Sequence, residues 1–406
     1  MVQLMLKGFG GDQRKPASVD AAARARYGIE CYHVNAQVSK ELEDIGDVRF
    51  GKLFLLFGYC IQAIWCRFRY GVSTLYYIPA PGKRSALYRD WLVMFLCRPF
   101  YKRIILHWHA AGLANWLETH VQIRSRSFTY HRMKDADLSI VLSQFNVADA
   151  EKLLAQQIRV VPVGIPDPCP KFDEKILPLR RERTAARKRI LSGGGTAAES
   201  GTVNVLFVAH CTREKGVFET VAGLALANEQ CAAKNLPLRF RLTLIGAFAS
   251  PQEEQELRGE VQKRGLAQAA EILGFVSKER KEAALAEADI FCFPTYYLAE
   301  NQPANLIEAM AYGLPVVTTR WRSIPEMLPV HYPGLVEPKS PAQVADALMR
   351  LAAGDFAAEL REIFRRRFTL EQYLAGMAAA IQSVETADRR ATPLQAGQPN
   401  PNPTTT

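Results

Sequence analysis

The stretch that most constrains this chain is Pro294-Thr-Tyr-Tyr-Leu-Ala-Glu300-Asn-Gln-Pro-Ala-Asn-Leu-Ile-Glu308-Ala-Met-Ala-Tyr-Gly313-Leu-Pro315-Val-Val-Thr-Thr319. Pro303 suits a first helical position, where its missing N–H costs no bond. Gly313 suits the left-handed residue just past a helix end, and Pro315 forbids continuation. The punctuation predicts a short helix from about 303 to 312, with Leu306 and Met310 on its core face. Ile290 to Phe293 reads as the strand before it and Val316 to Thr319 as the strand after it. Strand, loop, helix, strand is a βαβ unit, and such units build parallel sheets.

Two carboxylates flank the start of that helix. Glu300 lies in the loop before it and Glu308 about one and a half turns inside, on either side of the free N–H groups. Those groups and the helix dipole attract an anion such as a phosphate, while carboxylates accept hydrogen bonds from hydroxyls. The chemistry this combination suits is that of a sugar nucleotide. Spacing alone leaves open that Glu308 is a solvated helix residue.

The rest of the chain alternates in the same way. Met1 to Leu6, Glu30 to Asn35, Thr74 to Ile78, Arg103 to Leu106, Leu138 to Leu142 and Val160 to Val163 read as strands. Asp20 to Tyr27, Phe54 to Arg69 and Arg89 to Arg98 read as helices among them. A second series begins at Val203 to Ala209 and continues through Arg241 to Ile245. With 406 residues the chain suits two domains, each with its own core. The net charge of +10 favours an acidic partner, whether nucleic acid, an anionic membrane or a phosphorylated substrate. No basic-aromatic recognition element or zinc-finger spacing supports nucleic acid. The eight cysteines form no C-x-x-C pair and read as reduced thiols of a cytoplasmic protein. No secretion leader is evident, and the longest apolar run, Leu53 to Trp65, is too short to span a bilayer.

Several other residues are candidates for chemistry. The backbone at Gly10 and Gly11 could approach a phosphate, or form an ordinary turn. His107 and His109 fall at a strand end, where ligands collect in parallel sheets. No third or fourth metal ligand accompanies them, so the alternative for His109 is a structural histidine. Asp135 and Asp137 precede a strand and read as a helix stop rather than a metal site. Arg213 and Lys215 follow Val203 to Ala209; because no Lys or Arg occurs between Tyr296 and Thr319, they are the available cations for a diphosphate. Residues 166–202 hold three closely spaced prolines and then Arg180, Arg181, Arg183, Arg187, Lys188 and Arg189, and read as a mobile linker with a solvated basic surface. Phe54 to Arg69 reads either as a buried crossover helix or as a basic-flanked apolar face resting on an anionic membrane.

Glu300-x7-Glu308 followed by Ala309-Met-Ala-x-Gly313-x-Pro315-Val-Val resembles the donor-site signature of the retaining glycosyltransferases of family 4. Similar to that family as well are His109 before small residues, Arg213 and Lys215 before Gly216, and Ile272-Leu-Gly274-Phe275-Val276. His210 departs from the family, standing where an arginine is usual, and Val163 stands where an asparagine is usual. The resemblance covers roughly residues 103–350 and implies the GT-B architecture, an α/β fold of two Rossmann-like domains facing across a cleft. It implies that Glu300 and His109 face the transferred sugar and Glu308 the ribose. Gly274, Phe275 and Val276 would meet the base, while Asn301, Gln302, Pro303 and Ala304 form the donor-site loop. Arg213 and Lys215 would hold the diphosphate, with Gly10 and Gly11 as candidate backbone donors.

The expected domains are an acceptor domain at 1–165, the linker at 166–202, a donor domain at 203–371, a crossover helix at 372–386 and a tail at 387–406. The implied activity is retaining transfer, without metal or cofactor, from a nucleotide sugar to a glycan or lipid-linked acceptor in polysaccharide or glycolipid synthesis. It would take place in the cytoplasm or at the inner face of the membrane, with no nucleic acid partner. The alternatives are a nucleotide-sugar epimerase on the same fold and a non-catalytic sugar-nucleotide binding protein.

Overall fold

The computed structural model describes residues 2–9, 26–36, 50–79, 82–192 and 201–391. Two all-parallel sheets organise it. The first has β1 (Thr74–Tyr77), β2 (Arg103–Trp108), β3 (Leu138–Val141) and β4 (Ile158–Val160), in the order β1-β2-β3-β4. The second has β5 (Gly201–Val208), β6 (Leu238–Ile245), β7 (Ala270–Gly274), β8 (Ile290–Phe293), β9 (Val316–Thr319) and β10 (Leu335–Val336), in the order β10-β9-β8-β5-β6-β7. Strands such as Ile290-Phe-Cys-Phe293 are buried throughout because helices cover both faces, which is why they read as unbroken apolar runs. After β7 the chain returns to lay β8 on the other side of β5. The sheet therefore has a switch point between β5 and β8, and a crevice opens outside their carboxyl ends.

The chain crosses between the sheets twice, and the crossings lie side by side. Ile165 N donates to Phe368 O at 2.9 Å and Leu370 N to Ile165 O at 2.8 Å. Helix Leu370–Ala391 then packs on the first sheet, with Tyr373, Leu374 and Met377 against Ile105, Leu138, Ile140 and Val161.

Several expectations are corrected. Met1 to Leu6 is not a strand: Val2–Gly8 is a helix, because Met5, Leu6 and Phe9 recur at helical spacing, and Met5 and Phe9 bury against the Leu370–Ala391 helix. Glu30 to Asn35 forms no strand, and the fourth strand begins at Ile158 rather than Val160. Gly10, Gly11, most of Asp20 to Tyr27, residues 193–200 and residues 392–406 lie outside the described residues. Phe50–Arg69 is not a buried crossover helix. Leu56, Cys60 and Cys66 are buried, while Phe54, Leu55, Phe57, Ile61, Trp65 and Phe68 are exposed.

The arginine-rich segment is not a solvated, mobile linker. It forms a helix, Leu177–Leu191, whose inner face is Arg180, Thr184, Arg187 and Ile190, leaving Arg181, Lys188 and Arg189 outward. The Arg180 guanidinium donates to Tyr312 O at 2.8 Å, Ala288 O at 2.5 Å and Leu285 O at 2.9 Å. Arg187 donates to Ala352 O at 2.6 Å and pairs with Asp289 at 2.9 Å. The carbonyls at a helix C-terminus lack intrahelical partners, and a guanidinium can serve several at once. Arg180→Leu is therefore expected to strand three carbonyls and lower stability by at least about 3 kcal/mol in urea denaturation, since each buried unsatisfied group costs about 1–3 kcal/mol. Arg181→Ala should change stability by less than about 0.5 kcal/mol; equal effects would return the segment to a surface role.

Candidate functional site

The crevice is shaped by two loops, His210–Gly216 after β5 and Pro294–Pro303 after β8. Gly216 has φ +81°, and a Cβ there would sit 2.3 Å from Pro294 O, so only glycine lets the loops approach this closely. They are clipped together by Tyr296 N donating to Glu214 O at 2.8 Å. Across the clip, Lys215 Nζ lies 2.6 Å from Glu300 Oε2 and 4.4 Å from the centre of the Tyr297 ring. Thr295 Oγ1 donates to the same carboxylate oxygen at 3.3 Å. Glu300 is 8% exposed.

Helix Ala304–Ala311 starts after Pro303 and ends at Tyr312 and the left-handed Gly313, φ +60°, where the sequence punctuation predicts. Leu306 and Met310 are buried on its inner face. Asn305 Nδ2 donates to Val208 O at 2.8 Å, tying the helix start to the last residue of β5. Glu308 is held through both oxygens by Lys281 Nζ, at 2.7 and 2.9 Å. Lys281 belongs to the next helix along the crevice, Lys278–Glu287, which is capped by Ser277 and directly follows Gly274, Phe275 and Val276. Phe275 is 86% exposed.

The first sheet contributes the opposite wall. His109 follows β2; among the described residues its Nε2 has no protein partner, and burial pushes its pKa down to about 4. Behind it His107 is fully buried, shares a hydrogen bond with the Tyr76 hydroxyl through Nδ1, and is held well below the usual imidazole range by burial. The two imidazole centres are 4.3 Å apart. The loop carrying Glu300 reaches this wall directly. Asn301 Nδ2 donates to His109 O at 3.2 Å, Gln302 Nε2 donates to Leu142 O at 2.7 Å, and Val163 N donates to Gln302 Oε1 at 2.9 Å. Beside them, Glu326 accepts from Gln144 N and Phe145 N, both at 2.8 Å.

The structure thus joins Lys215 to Glu300, and Asn301 to the backbone of His109. Arg213 pairs with Glu256 at 2.8 Å and lies 4.0 Å from the Phe218 ring centre. His210 is exposed. Asp137 accepts from Ile104 N at 2.8 Å and Asp135 pairs with Lys134 at 3.6 Å, which gives both a local structural role. Lys281, Glu326 and the bridging by Gln302 were not anticipated from the sequence. Each depends on segments far apart in the chain, and no local pattern marks them.

Comparison with known proteins bears on the fold that carries these residues. Residues 196–368, which include the second sheet, match the family Glycosyl transferases group 1. The amylovoran biosynthesis glycosyltransferase AmsK of Erwinia amylovora is 27% identical over 274 residues, a match that covers 64% of this chain and 63% of AmsK. Among solved structures, HepE of Anabaena in complex with UDP and glucose aligns at a TM-score of 0.58 and 17% identity over 83% of each chain. The sucrose-phosphate synthase of Thermosynechococcus elongatus aligns at a TM-score of 0.60 and 20% identity, over 88% of this chain and 83% of its own. The fold is the α/β GT-B architecture.

The state of His109 has a measurable consequence. An imidazole in the unfolded chain protonates near 6.5, whereas folded His109 protonates near 4. Between those values the unfolded state binds more protons, so the stability present above pH 6.5 falls as pH drops toward 4. His107, shifted in the same direction, adds to the effect. His109→Gln is expected to remove up to about 3 kcal/mol of this pH dependence. Urea denaturation at pH 7 and pH 4.5 measures it, and an unchanged slope would mean that His109 titrates normally.

Proposed function

We propose that this protein is a glycosyltransferase that moves a sugar from a nucleotide-sugar donor to a glycan or lipid-linked acceptor in polysaccharide synthesis, retaining the anomeric configuration and using no metal. The observation that carries the reading is the placement of Glu300, Glu308 and Lys215 around one helix N-terminus in the switch-point crevice, with His109 on the facing wall. The diphosphate would lie on the free N–H groups of helix Ala304–Ala311, with Lys215 turning from Glu300 to share its charge. Glu300 and the neutral His109 would then address the sugar's hydroxyls, and Glu308 those of the ribose. HepE was solved with UDP, which makes UDP the first nucleotide to test here.

Chemically, the acceptor hydroxyl attacks the anomeric carbon on the face the leaving group departs from. The bond from that carbon to the β-phosphate oxygen breaks, its electron pair stays on the phosphate, and the phosphate takes the acceptor's proton. The N–H groups and Lys215 stabilise the charge that builds on the leaving group. The exposed apolar face of Phe50–Arg69, with Arg67 and Arg69 at its end, suits an anionic membrane surface at the cytoplasmic side, where a lipid-linked acceptor would be met. Among the described residues no helix is long and apolar enough to cross a membrane.

Mutant kinetics divide the roles. Glu308→Gln should chiefly raise the donor KM, because a ribose contact acts equally in the ground and transition states. Glu300→Gln and His109→Ala should chiefly lower kcat, as they face the sugar where charge develops. Activity should persist in EDTA. Initial rates against donor concentration, with product analysis with and without acceptor, test this; full activity in both Glu300→Gln and His109→Ala would dismiss the site.

A further inference from the structure

One cation at the crevice has no part in that account. Arg322 follows β9 with φ +51°, in the left-handed region that strains every residue but glycine. The conformation is held from both sides. Trp321 Nε1 donates to Tyr297 O at 2.8 Å, and Ser323 Oγ lies 2.6 Å from both Asn301 O and Asn301 Oδ1. Both neighbours thus grip the loop that carries Glu300, while the side chain of Arg322 reaches the other wall. A Cβ on Gly112 would fall 2.2 Å from Arg322 Nη1. Gly112, with φ +84°, closes the turn after His109 and opens helix Leu113–His120. The guanidinium therefore sits between the two loops that carry the residues proposed to face the sugar.

What this guanidinium lacks is a hydrogen-bond acceptor. Among the described residues no carboxylate or carbonyl pairs with it, and its Nε is buried without a partner. Burial disfavours its charge, and Asp149 is near enough to favour it. Yet the Asp149 oxygens are taken by Gly112 N at 2.8 Å, Ala114 N at 2.9 Å and Asn146 Nδ2 at 3.3 Å. The Phe145 and Trp321 ring centres lie 5.9 and 5.6 Å from the guanidinium carbon. A guanidinium can rest on aromatic faces while its planar N–H fork stays free. By contrast Arg180, Arg187 and Arg361 each deliver N–H groups to carbonyls. A cation partly withdrawn from water and left without an acceptor is stabilised when an anion reaches it.

We infer that Arg322 binds an oxyanion, phosphate or carboxylate, carried by the acceptor, and so makes the site selective for acidic acceptors over neutral ones. The inference rests on the proposed glycosyltransferase reading. There the donor's diphosphate already has Lys215 and the N–H groups of helix Ala304–Ala311, whereas Gly112 belongs to the segment expected to take the acceptor. The flat fork of a guanidinium matches either oxyanion with two parallel hydrogen bonds. An arginine that only bolted the two walls together would favour no ligand by its charge. One that receives the acceptor distinguishes ligands by theirs.

Isothermal titration of the full chain separates these cases, once the nucleotide site is filled with the tightest-binding of UDP, GDP and ADP. The probes are glucose 1-phosphate, methyl glucuronide and the neutral methyl glucoside, which share a pyranose ring and differ in charge. At least one acid is expected to bind about tenfold more tightly than the glucoside, since a hydrogen bond between charged groups is worth about that factor or more. Preference for the phosphate points to a phosphate-linked acceptor, and preference for the glucuronide to an acidic sugar. Arg322→Met should bring the ratio toward one and leave the nucleotide's own dissociation constant unchanged. Arg322→Lys, which keeps the charge, should recover part of the ratio. Arg322→Gly should lose the ratio with the melting temperature unchanged or raised, because glycine adopts φ +51° without strain. The inference is overturned, and the donor reading stands, if neither acid outbinds the glucoside or if the ratio survives Arg322→Met. The same holds if Arg322→Met weakens the nucleotide and all three probes alike, which would make Arg322 a bolt between the walls. If none of the three nucleotides binds the unaltered protein, the glycosyltransferase reading itself fails and the inference with it.

Discussion

Helix Ala304–Ala311 must present its free N–H end to the crevice, and that requires its other end to be fixed. Its last carbonyls are held by two buried arginines: Arg180 takes Tyr312 O at 2.8 Å, and Arg361 takes Ala311 O at 2.8 Å. Past them Gly313 turns in the left-handed region, where a Cβ would meet Phe172 at 2.7 Å and Ala357 O at 2.8 Å. At the opposite end Asn305 ties the helix to β5. The orphan groups of a short helix would otherwise need water. Satisfying them from the protein lets the helix sit dry against the core and keep one orientation. Arg361 also grips both carboxylate oxygens of Asp167, at 2.8 and 2.6 Å, in the first segment that crosses between the sheets. The helix that lines the crevice is thereby anchored to the first segment that crosses between the sheets.

Charge in the crevice is arranged in local pairs. Lys215 with Glu300 and Lys281 with Glu308 each balance a carboxylate, so neither glutamate presents an unpaired negative charge to an incoming phosphate. Lone carboxylates beside a helix N-terminus would repel a diphosphate; paired ones leave the dipole's attraction in command. Such pairs add little to stability when partly exposed, on the order of 0–1 kcal/mol. Their value is in holding donors and acceptors in place before a ligand arrives, which reduces the ordering cost of binding.

The sequence made the βαβ unit legible because its signals are local. Pro303, Gly313 and Pro315 act through their own backbone preferences, so the helix between them and the strands around it follow from residues within reach of one another. The same holds for Lys215 and Glu300, which close on each other once β5 and β8 are known to be neighbours. What was not legible depends on partners remote in the chain. Arg180 and Arg187 look like solvent-facing charges until the carbonyls of residues 285, 288, 312 and 352 are in place beside them. Val2–Gly8 has an apolar pattern too short to separate strand from helix, and helix Leu370–Ala391 decides it. Phe54, Trp65 and Phe68 carry the composition of a buried helix, and only the position of Phe50–Arg69 at the periphery leaves them exposed. Arg213 pairs with Glu256 and lies over the Phe218 ring, contacts that its position in the sequence does not reveal.

Hydrogen bonds between the two walls involve the loop that carries Glu300 and, beside it, Glu326, which accepts from the Gln144 and Phe145 amides, while Leu142 and Val163 pack into the core of the second sheet. Asn301 meets His109 O, Gln302 meets Leu142 O and Val163 N, and Ser323 Oγ lies 2.6 Å from both Asn301 O and Asn301 Oδ1, bracing the loop from behind. The same two residues that follow Glu300 therefore hold the loop against the opposite sheet. Separating the walls would strip Gln302 and Asn301 of these partners and release the loop at once. Bringing them together restores the bonds and sets Glu300 within the crevice with His109 across from it. These hydrogen bonds cost little to open, because water replaces each lost bond. They also give the closed form a defined register, since each amide must find a particular carbonyl. The loop that carries Glu300 is thus tied to the opposite wall by the two residues that follow the glutamate.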